Sequence, residues 1–158
     1  MNALLYCAML TQFLPALNEN IRQERESTCI LLVEEAERQG EDPFVVTALS
    51  WHESRMQYLN RRGKIVRSHR GAVGPLQVIP RIWCEDRSGR DCDLVEAGVR
   101  ALKRFRARYE RRHGLAWAIC SYNSGRCKGE HTKSFRWASN VVRASKKYRR
   151  LWRRHANR

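Results

Sequence analysis

The segment DPFVVTALSWHES, residues 42–54, combines a helix start, an apolar stripe and a single carboxylate at its end. Asp42 followed by Pro43 is typical of an N-cap and a first helical position. Val46, Leu49 and Glu53 follow at spacings of three and four residues, so they share one face of the predicted helix. That face should pack against the core. We therefore expect Glu53 in desolvated surroundings, which raise the pKa of a carboxyl group.

A carboxyl group with a raised pKa can act as a general acid, because it still carries its proton near neutral pH. A structural glutamate, satisfied by an arginine or by backbone N–H groups, is the alternative. A zinc-protease helix is excluded, since Met56 stands where the second histidine after His52-Glu53 would be. The sequence has no P-loop, nucleophile elbow or dinucleotide fingerprint. We expect no metal and no cofactor.

The charge of the chain is large and unevenly distributed. The 158 residues carry a formal charge of +15, with 31 basic and 16 acidic side chains. Residues 1–50 hold three basic and eight acidic side chains, so residues 51–158 hold 28 basic and eight acidic ones. A basic surface of this size fits nucleic acid, anionic membrane or anionic envelope polymers as partners, although charge runs often serve only as solvated faces.

Six cysteines in so short a chain indicate an oxidising compartment. Cys84 and Cys92 bracket one short polar loop, and Cys120 and Cys127 bracket another, which makes these the simplest pairs. Cys7 would then pair with Cys29. Six buried, reduced thiols are the alternative.

The pattern along the chain predicts a mainly α protein with a single helical domain. Ser27 or Thr28 should cap a helix that ends at Gly40, and further helices should follow Asp93, cover residues 115–123, and close the chain. Residues 57–80 are rich in glycine and proline, and residues 60–67 predict a small β-hairpin near the active-site cleft. The last helix is basic, with eight Lys and Arg residues and no acidic residue in 141–158.

The first 17 residues are apolar enough to resemble a signal peptide, but no Lys or Arg precedes Arg22 and no small-residue cleavage site follows. This favours a packed first helix. We expect an N-terminal helical extension over residues 1–26 and the main domain over residues 27–158. No apolar run reaches the roughly 18 residues of a transmembrane helix.

Three motifs occur in a fixed order: HES at 52–54, GAVGPLQVIP at 71–80 and AICSYNSG at 118–125. Together they resemble the Glu-Ser, Gly-Leu-Met-Gln and Ala-Tyr-Asn-Ala-Gly signatures of the lytic transglycosylases of the soluble (SLT) type, which have a goose-lysozyme-like fold. Residues 93–102, with Gly98, are similar to the glycine-bearing helix of that family. The resemblance covers about residues 28–150 and departs from the family pattern at several positions: Pro75, Leu76, Leu94, Ser121 and Ser124.

The resemblance implies an α+β lysozyme-like fold with Glu53 as catalytic acid and base. It also implies a set of substrate-binding residues around the sugar groove, with Ser54 beside Glu53: Ser54, Gly74, Gln77, Tyr122 and Asn123. The implied reaction cleaves the β-1,4 bond between N-acetylmuramic acid and N-acetylglucosamine in peptidoglycan, and it forms a 1,6-anhydromuramyl end.

Residues 54–84 contain no Asp or Glu, which favours a transglycosylase over a muramidase that needs a second carboxylate to activate water. A muramidase remains an alternative, with a second acid from the segment 85–93: Glu85, Asp86, Asp91 or Asp93. A basic nucleic-acid-binding domain is a third hypothesis, but no recognised binding motif accompanies the charge. We expect a monomer that binds peptidoglycan glycan strands and anionic envelope polymers rather than nucleic acid. Its expected location is periplasmic, extracellular, or associated with phage virions or lysis.

Overall fold

The computed structural model describes residues 1–16 and 18–157, and within these ranges the protein is mainly helical, with seven helices and no regular β-strand. In chain order they are α1 (Ala3–Phe13), α2 (Glu19–Gln39), α3 (Pro43–Ser54), α4 (Pro80–Trp83), α5 (Leu94–His113), α6 (Leu115–Ser124) and α7 (Lys133–Ala156).

Helix α3 lies at the centre of the fold. Asp42 Oδ1 accepts the N–H of Phe44 at 3.0 Å and Pro43 is the first helical residue, as the sequence predicts. Every residue from 44 to 50 is buried, so α3 is enclosed on all sides rather than on one stripe. Helices α2 and α7 pack against it, α5 packs against α6 and α2, and α6 also contacts α7. The central helix therefore holds its last turn in a fixed position.

The N-terminal helix belongs to the same core. Tyr6 and Leu10 of α1 are fully buried, and the Tyr6 hydroxyl lies 2.9 Å from the Thr47 hydroxyl of α3. The prediction of a packed first helix is confirmed. Helix α2 runs without interruption through the boundary expected between residues 26 and 27. The two predicted segments thus share one core.

The predicted start of α2 was wrong. The helix begins at Glu19, and Asn18 Oδ1 caps it by accepting the N–H of Ile21 at 3.0 Å. Thr28, one of the two predicted caps, lies inside the helix with its hydroxyl near the Glu24 carboxylate. The longer helix is stabilised by burial of Ile21 and by packing of α2 against α1. Gly40 ends the helix with a left-handed φ of 72°, as predicted.

The predicted β-hairpin is not formed as a regular ladder. Isolated antiparallel bridges join Leu59 to Ile65 and Val73 to both Arg67 and Val78. Most side chains of residues 59–70 are exposed. A two-stranded pair without an apolar face to bury gains little from extending its ladder, so the segment remains irregular.

All three predicted disulfide pairs are present: Cys7–Cys29, Cys84–Cys92 and Cys120–Cys127. The first connects α1 to α2, the second closes the loop between α4 and α5, and the third closes the loop after α6. Of the helices described, none combines the length and apolar content needed to cross a lipid bilayer.

Candidate active site

Glu53 lies in the last turn of α3, one turn beyond the fully buried Leu49. Burial raises the pKa of its carboxyl group to about 7, while a hydrogen bond from the Asn123 side chain acts in the opposite direction. An amide can donate a hydrogen bond to the carboxylate but cannot neutralise it. The site therefore keeps a proton on a carboxylic acid near neutral pH, without an arginine or lysine to hold the charged form.

The backbone turns sharply directly after Glu53 and Ser54. Arg55 and Met56 have left-handed φ values of 61° and 58°, which side chains with a Cβ rarely adopt. The N–H of Met56 donates to the carbonyl of Ser50 at 3.1 Å, and the Met56 side chain is fully buried. Burial of Met56 thus offsets the conformational cost of the turn and holds the end of α3.

A tight loop, residues 73–78, lies across the end of α3. Val73 and Val78 exchange backbone hydrogen bonds of 2.8 and 3.0 Å and close the loop. Two buried hydroxyls of α3 approach the Pro75 carbonyl, with distances of 3.0 Å from Ser50 and 2.8 Å from Ser54. These contacts fix the loop to the helix that carries Glu53.

Two glycines allow the same loop to approach α5. Gly98 of α5 faces Leu76, and a Cβ at this position would lie 2.6 Å from the Leu76 side chain. Gly74 has φ 76°, and a Cβ there would lie 3.0 Å from Leu94. Leu76 is fully buried between these elements. The loop therefore has no freedom to move away from α3 and α5 without opening the core.

Helix α6 completes the site from the other side. The Tyr122 hydroxyl donates to the Leu76 carbonyl at 2.5 Å. Burial, and to a smaller extent the charge of Glu53, raises the Tyr122 pKa well above its ordinary value. Asn123, the next residue, reaches the Glu53 carboxyl. The Cys120–Cys127 disulfide closes the loop that follows, and the N–H of Cys127 donates to Ser121 Oγ at 3.2 Å.

Two of the four acidic residues of segment 85–93, Asp86 and Asp93, are held by hydrogen bonds. Asp86 accepts hydrogen bonds from the Ser88 hydroxyl and from three backbone N–H groups, which lower its pKa to about 2. Asp93 caps α5 by accepting the N–H groups of Val95 and Glu96 at 3.0 and 2.9 Å. Burial and Asn123 are the causes that shift the Glu53 pKa; among the described residues no second carboxylate does so.

The structure brings together all the site residues predicted from the sequence, in different roles. Ser54 and Gly74 are buried and hold the loop, so they do not offer a surface to a ligand. Gln77 is half-buried and donates from Nε2 to the Gly74 carbonyl at 2.9 Å, while Asn123 is exposed. Ser50 was missed, although its spacing of four residues from Ser54 places both hydroxyls on one face of α3.

The arrangement can transfer a proton to and from a neutral substrate at Glu53, and it positions an amide and a phenol beside the reacting group. Comparisons with protein-family models, with curated proteins and with solved structures find no match for this chain.

Proposed function

We propose that this protein is a peptidoglycan lytic transglycosylase with a goose-lysozyme-like fold. The observation that carries the proposal is the half-buried Glu53, whose raised pKa and neutral partner Asn123 suit a general acid. The three ordered motifs from the sequence meet around this carboxyl: Ser54 beside it, the 73–78 loop across it, and Tyr122-Asn123 opposite.

In the proposed reaction, the Glu53 carboxylic acid gives its proton to the oxygen that links N-acetylmuramic acid to N-acetylglucosamine. The C1–O4 bond breaks, and the neighbouring N-acetyl group of the muramic acid stabilises the developing positive charge at C1. The Glu53 carboxylate then takes the proton of the C6 hydroxyl, whose oxygen bonds to C1. The products are a 1,6-anhydromuramyl end and a free 4-hydroxyl, and Glu53 regains its proton.

The nucleophile is the C6 hydroxyl rather than water, since residues 54–84 contain no carboxylate and no carboxylate contributes to the shift of the Glu53 pKa. Of the four acids in segment 85–93, Asp86 and Asp93 are held by their own hydrogen bonds. Enzymes that activate water for glycoside cleavage usually need such a group. The structure around Glu53 therefore supports the transglycosylase over the muramidase.

Aromatic rings continue outward from Tyr122 and support a carbohydrate ligand. Phe105 packs against Tyr122 with ring centroids 6.0 Å apart, and it also contacts Trp83 and Tyr109 at 6.2 and 6.3 Å. All four side chains are half-buried, and the guanidinium groups of Arg104 and Arg108 lie over the Trp83 and Tyr109 rings. Aromatic side chains that remain partly accessible suit the apolar sides of sugar rings.

The basic surface and the three disulfides are consistent with a function at the cell envelope. Helix α7 carries basic residues along its exposed surface, which favours association with a substrate embedded in anionic polymers. Disulfides persist in oxidising compartments. We accordingly place the protein in the periplasm, outside the cell, or with a phage during lysis.

The test is mass spectrometry of the soluble products released from purified peptidoglycan. Anhydromuramyl ends, lighter by one water than hydrolysis products and without a reducing terminus, are expected. Glu53→Gln should reduce product release by at least about 100-fold, since it removes the transferable proton. Glu34→Gln, at an exposed residue of α2, is the matched control and should retain activity.

Each contrary result has a distinct meaning. Reducing ends as the main product would identify a muramidase. Full activity of Glu53→Gln would refute the assignment of the acid, and no release of muropeptides by the folded protein would refute the proposed activity.

A further inference from the structure

A second group of charged residues lies on α2 and α3, away from the Glu53 carboxyl. The Trp51 indole ring carries two guanidinium groups, with Arg25 at 4.9 Å and Arg55 at 5.4 Å from the ring centroid. Trp51 is two residues before Glu53, or about 200° around the helix, so it points to another side of α3. This cationic pair is separate from the candidate active site.

The pair is energetically costly as it stands. Arg25 is 7% exposed, and its Nε is the one buried side-chain polar atom of the described residues that has no hydrogen-bond partner. Burial and the charge of Arg55 both lower the Arg25 pKa. Its one hydrogen bond within the described chain goes from Nη1 to the Pro15 carbonyl. Two close guanidinium groups, one of them desolvated, repel each other unless an anion compensates them.

Carboxylates of the described chain compensate this charge only in part. Neither Arg25 nor Arg55 forms an ion pair within it. Glu24 is the nearest acidic influence on Arg25, but its Oε1 accepts the backbone N–H groups of Tyr58 and Leu59 at 2.9 and 2.8 Å. The positive charge therefore remains available to a ligand.

Open space adjoins both guanidinium groups. A cavity of about 450 Å³ is lined by Pro15, Ala16, Arg25, Trp51 and Arg55. A neighbouring cavity of about 270 Å³ shares Pro15 and Trp51 and adds Lys147 of α7 and His52, together with mostly apolar side chains. No acidic residue lines either cavity. A ligand in the first cavity would meet two guanidinium groups beside an aromatic ring, and the Lys147 ammonium lines the adjoining cavity.

We propose that this pocket between α2, α3 and α7 binds a phosphate group. Phosphate carries up to two negative charges and several acceptor oxygens, so it can engage the two guanidinium groups that line one cavity. A carboxylate has only two oxygens and is satisfied by one bidentate arginine. The apolar wall beside the charges gives a place for the organic part of a phosphate ester.

The test is a titration of the ¹⁵N-labelled, disulfide-intact protein with inorganic phosphate and with glycerol 3-phosphate, at constant ionic strength, followed by NMR at the Trp51 indole N–H. Saturable shifts are expected. Arg55→Gln should weaken binding at least about tenfold, because a charge-assisted contact is lost. Arg112→Gln removes an exposed charge on α5, far from the pocket lining, and should leave the affinity unchanged.

Arg25→Lys keeps the charge but loses the planar guanidinium, so it should also weaken binding. A cooperative thermal unfolding transition shows that this variant is folded. Tighter binding of glycerol 3-phosphate than of inorganic phosphate would identify an ester as the ligand, and equal binding would identify the free ion. Linear, unsaturated shifts up to about 100 mM phosphate would overturn the proposal. An equal effect of Arg55→Gln and Arg112→Gln would also overturn it, since that result describes general charge attraction. The outcome does not depend on peptidoglycan cleavage.

Discussion

The variant Glu53→Gln should be more stable than the unmutated protein above neutral pH. Burial raises the Glu53 pKa from 4.5 to about 7 in the folded state. Below about pH 4.5 the carboxyl is protonated in both folded and unfolded chains and contributes no difference. Between the two pKa values the folded chain binds more protons than the unfolded chain, so the free energy of unfolding falls as pH rises. The full loss, reached above about pH 7, is about 3 kcal/mol.

Glutamine has nearly the same shape and no charge, so the variant should not show this loss. Its free energy of unfolding, relative to the unmutated protein, should increase by about 3 kcal/mol between about pH 4 and about pH 8. The other titrating groups cancel in this comparison. Guanidinium chloride unfolding with the disulfides intact gives both values, provided that the slopes with denaturant agree.

Glu34→Gln is the control for removing a negative charge from the surface. Glu34 is exposed on α2 and has no ion pair within the described chain, so its variant should show little pH dependence relative to the unmutated protein. A change below about 1 kcal/mol for Glu53→Gln would show that the carboxyl is well solvated. That result would remove the physical basis for a general acid at this position.

Four further outcomes are expected. Cleavage of peptidoglycan should decline above about pH 7, as the acidic form of Glu53 is lost, and a rate that stays constant to about pH 9 would contradict this role. Gly98→Ala should lower the free energy of unfolding by about 1–3 kcal/mol, because its Cβ would overlap Leu76, and an unchanged melting temperature would argue against the close approach. Replacing Cys120 and Cys127 by alanine should lower the free energy of unfolding by about 2–3 kcal/mol and should also lower the activity. Full activity at unchanged stability would show that the disulfide is not needed to hold the loop. Activity on whole cell walls should fall as salt rises from about 50 to about 500 mM because the charges of α7 are screened, and a salt-independent rate would exclude that contribution.

Several features of the site could be predicted locally. The cap at Asp42-Pro43 and the spacing of Val46, Leu49 and Glu53 depend on residues within one helix, and the structure has that helix with both apolar residues fully buried. The short disulfide loops were predictable for the same reason. Local capping reasoning failed at Thr28, because burial of Ile21 and packing against α1 stabilise the helix before the predicted start.

The sequence by itself therefore determined that an apolar helix ends in a carboxylate, and that the preceding helix ends at Gly40. Only the tertiary structure decided which groups surround that carboxylate. Asn123 is 70 positions away from Glu53 in the chain. The Pro75 carbonyl accepts hydrogen bonds from the Ser50 and Ser54 hydroxyls, which lie 25 and 21 positions before it. Such contacts depend on how α3, α6 and the 73–78 loop pack together. Helix periodicity and capping act over a few residues, whereas burial, and with it the pKa of Glu53, is a property of the whole packed molecule.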